Sequence, residues 1–63
     1  MAKWIHSRKG LIDGELIEDD GTWTRIKATG DQNLRSARPG GVLEYFDGET
    51  ITVRTSYLTA LPD

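Results

Sequence analysis

The stretch Ile12-Asp13-Gly14-Glu15-Leu16-Ile17-Glu18-Asp19-Asp20-Gly21-Thr22-Trp23-Thr24-Arg25-Ile26-Lys27-Ala28 decides the fold class. Apolar or β-branched residues alternate with charged ones on both sides of an Asp-Asp-Gly tip, the pattern of two half-buried strands joined by a turn. Register follows from the faces, because a slip of one residue sends every side chain to the other side of the sheet. A three-residue loop with Gly21 in the left-handed region pairs Ile17 with Trp23, Glu15 with Arg25 and Asp13 with Lys27. It leaves Ile12, Leu16, Thr24, Ile26 and Ala28 as the core stripe. A two-residue loop sets Glu18 against Trp23 and Glu15 against Ile26, mixing charge and apolar surface on both faces, and is rejected.

A second Asp-Gly turn, Phe46-Asp47-Gly48, predicts a second hairpin. The same test places Leu43 opposite Ile51 and Tyr45 opposite Glu49, with Val53 on that inner side. Val42, Glu44, Thr50, Thr52 and Arg54 then face outward. Between the hairpins, Gly30-Asp31-Gln32-Asn33-Leu34-Arg35-Ser36-Ala37-Arg38-Pro39-Gly40 reads as a polar, basic loop, with room for one helical turn over 32–37 before Pro39 stops it. Loops of this length in compact domains tend to carry function. At the N-terminus, Lys3-Trp4-Ile5-His6 reads as a further strand or arm within residues 1–9, followed by a turn over 7–10.

The order of a hairpin, a longer loop, a second hairpin and then Ile51-Thr52-Val53-Arg54-Thr55-Ser56-Tyr57-Leu58-Thr59-Ala60-Leu61 resembles a five-stranded SH3-like barrel, roughly over residues 10–61. That resemblance implies an all-β domain spanning residues 1–63, with a short helical turn before the last strand. Barrels of this kind include Tudor and chromo-like modules, KOW-type modules and the plasmid-type dihydrofolate reductases. The active-site run of those reductases, Val-Gln-Ile-Tyr, is here Val53-Arg54-Thr55-Ser56.

Composition narrows the functional classes. A 63-residue chain buries only about 60% of its unfolded surface. With no cysteine it has neither disulfides nor a thiolate zinc staple to compensate. The N-terminal residues contain no apolar signal region, and no run approaches a membrane span, so a cytoplasmic location is expected. A net charge of -2 argues against a strong nonspecific DNA binder. The charges are nevertheless bipolar, with acids at Asp13, Glu15, Glu18, Asp19 and Asp20 and again at Glu44, Asp47 and Glu49, and bases at Lys3, Arg8 and Lys9 and at Arg25, Lys27, Arg35 and Arg38.

Catalytic chemistry finds little material. His6 is the lone imidazole, so Ser7 and Ser56 lack the base and orienting partner a nucleophile needs. Asp19-Asp20-Gly21 offers only the tip of a calcium loop, and the glycines fall in no phosphate-loop spacing. No cofactor or metal is expected, and no enzyme, save one assembled in a homo-oligomer pore.

Binding residues are easier to nominate. The favoured register puts Trp23 outward beside Ile17, Arg25 and Lys27, where an indole flanked by cations suits a partner anchor or a stacked base; burial under the N-terminal segment is the other reading. Arg35 and Arg38 extend the basic surface, with Arg54 near it, and Trp4 is either a lid or an interface anchor. The expected function is a noncatalytic module docking on another protein, of the kind small phage or plasmid regulatory and assembly proteins use. RNA or DNA contact through Trp23, Arg25, Lys27, Arg35 and Arg38 is the alternative.

Overall fold

The computed structural model describes residues 2–36 and 38–62. It is all-β apart from one 3-10 turn: β1 (Ala2–His6), β2 (Gly10–Asp19), β3 (Trp23–Ala28), β4 (Gln32–Arg35), β5 (Val42–Tyr45), β6 (Thr50–Arg54), the 3-10 turn Thr55–Tyr57, and β7 (Leu58–Ala60). Five strands form an antiparallel sheet in the order β6-β3-β2-β1-β7, and β4 pairs with β5 in a separate hairpin. The expected barrel is not closed, because the edge strands β6 and β7 share no ladder. The expected 3-10 turn before the last strand is present and joins those two edges.

Period-two patterning sets the faces. In β3, Thr24, Ile26 and Ala28 are buried while Trp23, Arg25 and Lys27 are exposed. In β6, Ile51 and Val53 are buried between exposed Thr50, Thr52 and Arg54. Trp4, Ile12 and Leu34 complete the core with them. Trp4, read as a lid or an interface anchor, is 9% exposed and belongs to the core, opposite Ile12 in the β1–β2 ladder.

The first hairpin pairs differently from the sequence reading. Glu15 lies opposite Lys27, Leu16 opposite Ile26, Glu18 opposite Arg25 and Asp19 opposite Thr24, with a bulge between Leu16 and Glu18 that leaves Ile17 unpaired. The tip explains the shift. Asp20 N–H donates to Trp23 O, and the Asp20 carboxylate accepts from the N–H groups of Thr22 and Trp23, while Gly21 adopts φ +90°. The bulge absorbs the extra residue this turn requires. Before the bulge the register differs from expectation by two residues, so the faces are preserved although the partners are not. Leu16 is a correction as well: at 55% exposure it is not core, lying beside the bulge where the β2–β3 register shifts.

The second hairpin does not form as expected. The Phe46–Glu49 turn is made, with Glu49 N–H donating to Phe46 O at 3.0 Å. Its flanking strands then part: Leu43 pairs with Leu34 and Tyr45 with Gln32, while Ile51 pairs with Ile26. The segment read as a loop supplies the competing strand. Gln32–Arg35 is extended rather than helical, and it drops Leu34 into the core at 2% exposure; Ala37 of the expected helical turn lies outside the described residues. Gln32 locks β4 across β2, its Oε1 accepting from Asp13 N–H at 3.0 Å and its Nε2 donating to Asp13 O at 2.6 Å. Burial of a leucine combined with satisfied backbone groups outweighs the local preference for a tight β5–β6 hairpin.

Candidate basic and aromatic groove

The turn between β1 and β2 is shaped by a histidine. His6 is 4% exposed, and its Nδ1 accepts from the backbone N–H groups of Arg8 and Lys9, both at 3.1 Å. A neutral imidazole accepting at Nδ1 carries its proton on Nε2. Burial, with Lys9 and Arg8 adding repulsion, holds the His6 pKa below its ordinary value of 6.5. The unfolded chain therefore binds this proton more readily than the folded one, and stability declines as pH falls below about 6.5, levelling once both states are protonated. Denaturant titrations across that range should show the decline, and His6→Asn, whose Oδ1 can accept in place of Nδ1, should flatten it. An unchanged profile in the variant would show that His6 does not cause it.

The turn sends Arg8 and Lys9 toward an open groove of about 470 Å³. The 3-10 turn brings Tyr57, β6 brings Thr52, Val53 and Arg54, the start of β3 brings Trp23, and the end of β4 brings Arg35 with Ser36. The Arg54 guanidinium lies over the Trp23 ring at 5.1 Å, and that of Arg8 over Tyr57 at 5.4 Å. A smaller cleft shares Arg8, Arg35 and Ser36 and adds Arg38 with the Pro39-Gly40-Gly41 turn. Five of the eight Lys and Arg residues thus line the two cavities, and among the described residues no Asp or Glu does. Ion pairs among the described residues lie elsewhere, Lys3 with Asp13 and Arg25 with Glu18, each at 3.8 Å.

Compared with known proteins, the chain matches no family model, no curated protein and no solved structure.

Of the residues nominated from sequence, Trp23 and Arg35 line the groove and Arg38 the adjoining cleft. Trp23 is 43% exposed, so it faces outward beside Arg25 and Lys27. Arg25 sits in an adjoining cleft that shares Trp23 and Thr52 with the groove and adds Glu18 and Asp20, its charge paired with Glu18. Lys27 faces Glu15 across the ladder. Ile17 is exposed at the bulge and lines neither basic cavity, and Trp4 is core. The sequence reading missed Arg8, Lys9 and Tyr57 as site residues, and placed Arg54 only near the patch. They lie far apart along the chain, and the β1–β2 turn meets the 3-10 turn through the Ser7 N–H to Tyr57 O hydrogen bond, 2.9 Å, and through His6 and Arg8 against the Tyr57 ring. Arg8-Lys9 beside a turn was the one local signal.

Metal chemistry has no assembled ligand set: no group of three or more His, Asp or Glu side chains converges among the described residues. No helix among them is long and apolar enough to cross a membrane.

Proposed function

We propose that this domain is a noncatalytic interaction module that docks on another protein by receiving an acidic segment in the groove between Trp23 and Tyr57. The observation that carries this reading is the gathering of Arg8, Lys9, Arg35 and Arg54 around two aromatic rings with no carboxylate among the described lining residues, in a chain of net charge -2. An arginine stacked on an aromatic face keeps its N–H edge free for a carboxylate, and stacking reduces the freedom it loses on binding. The strand path supports the same reading. A meander that returns through a 3-10 turn to its first strand follows the SH3-like order without closing, with β4 and β5 inserted.

Single-stranded RNA or DNA is the second reading, favoured by the pairing of aromatic rings with cations. Against it, the faces of Trp23 and Tyr57 that bases would stack upon already carry guanidinium groups. The two separate in a titration of a peptide alternating glutamate and valine against oligothymidylate at several salt concentrations. We expect the peptide to bind more tightly. Trp23→Ala and Arg54→Glu should each weaken it about tenfold or more, while the exposed Arg54 substitution shifts stability by no more than about 0.5 kcal/mol. If Trp23→Ala unfolds the domain, the indole is structural and its assignment as a docking residue fails.

A further inference from the structure

The groove follows an unprotected sheet edge. β6 is the last strand of the five-stranded sheet and, among the described residues, pairs only with β3. Ala28 N–H donates to Glu49 O at 2.8 Å and Thr55 N–H to Thr22 O at 2.9 Å, which fixes the alternation of the ladder. In an antiparallel pair the hydrogen-bonded residues occur at every second position. The β6 residues bonded to β3 are therefore Ile51 and Val53, and the peptide groups of Thr50, Thr52 and Arg54 point away from the sheet. Among the described residues Thr50 and Thr52 take part in no other backbone hydrogen bond across a turn or loop, while Arg54, the N-cap of the 3-10 turn, commits its carbonyl to that turn and leaves its N–H facing outward. Thr52 and Arg54 line the groove, and so does Val53, whose side chain is otherwise buried.

Sheet edges are usually blunted by shortness, proline, a bulge or lysine. The other edge, β7, has three residues. The five-residue β6, Thr-Ile-Thr-Val-Arg, has no proline, no lysine and an unbroken register with β3. It offers roughly 16 Å of free edge at the usual rise of about 3.3 Å per residue.

Resting on the proposed docking of an acidic protein segment, we infer that this segment binds as an added β-strand along β6. Its backbone pairs with the free N–H and C=O of Thr52 and the N–H of Arg54, while its carboxylates meet Arg54 on one wall and Arg8, Lys9 and Arg35 on the other. Strand addition takes affinity from main-chain hydrogen bonds and specificity from alternate side chains. A second copy of this chain is a poor occupant, since joining β6 to β6 brings two sets of the same cations together. A nucleic acid has no backbone that matches the alternating donors and acceptors of the edge.

The test uses an acetylated and amidated peptide alternating glutamate and valine, with a lysine–valine peptide and oligothymidylate as controls. Methylating its backbone nitrogens one at a time should cost roughly tenfold in affinity at every second position and little in between, as expected for loss of one hydrogen bond. Thr52→Pro removes an edge N–H that the β3 ladder does not use, and should give a similar loss with the charges untouched. If that variant does not fold, the methylation series on the unaltered domain still decides. Tight binding with no alternation overturns strand addition while sustaining the acidic groove; no preference for the glutamate peptide over the lysine peptide overturns both. Preference for oligothymidylate, or self-association abolished by Thr52→Pro, would also overturn the inference.

Discussion

Gly14→Ala is expected to remove most of the stability of this domain. Gly14 lies in the middle of β2, buried and paired with Ala2 on one side and Ala28 on the other. A Cβ there would run into the Lys27 carbonyl oxygen and come within 2.7 Å of Ile26 Cγ2. The first obstacle is backbone of the neighbouring strand β3, which cannot rotate aside as a flexible side chain would. Overpacking a tight core usually costs about 1–3 kcal/mol, and a clash with backbone belongs at or above the upper end. At roughly 0.05–0.15 kcal/mol per residue, a domain of 63 residues has only about 3–9 kcal/mol in total. Urea unfolding should show a transition that is nearly lost or begins without denaturant, whereas the neighbouring exposed Glu15→Ala should stay within about 0.5 kcal/mol of the parent. A Gly14→Ala midpoint close to the parent's would mean that β2 and β3 can separate locally, contrary to the packing described.

Leu34→Ala should have the second largest effect, and it couples the fold to the groove. Leu34 is the one fully buried residue that the β4–β5 hairpin contributes to the core. Truncating a buried leucine costs about 2–5 kcal/mol, depending on how far the site collapses. What remains to hold the hairpin is the partly buried Tyr45 and a few polar contacts: Gln32 against Asp13, Arg35 N–H donating to Lys9 O at 3.3 Å, and Gly30 N–H donating to the Asp47 carboxylate at 2.7 Å. Amide exchange should therefore accelerate in β4 and β5 beyond the change in the five-stranded sheet, because the hairpin becomes the less stable unit. Arg35 and Ser36 form part of one groove wall, so binding of the acidic peptide should weaken together with hairpin protection. Unchanged protection in the hairpin would show that Leu34 does not anchor it.

Sequence alone determined the sidedness of β3 and β6, though not of Leu16 and Leu43, which were read as inner and are exposed. Thr24, Ile26 and Ala28 facing in, with Trp23, Arg25 and Lys27 facing out, is a property of one strand's alternation and does not depend on its partner. The same holds for Ile51 and Val53 in β6, and the turns at Gly21 and Gly48 were legible from their aspartates and glycines. Partner choice was not legible in this way. Whether β5 joins β4 or β6 depends on where Leu34 is buried, and before its bulge the pairing of β2 with β3 is offset from expectation by two residues, a shift that no argument about faces detects. Only the tertiary structure decided the groove, because its cations and rings come from the β1–β2 turn, the start of β3, the end of β4, β6 and the 3-10 turn, which converge once long-range ladders form. Alternation is set within a few residues of chain, whereas a site assembled from distant turns is set by which surfaces the whole fold must bury.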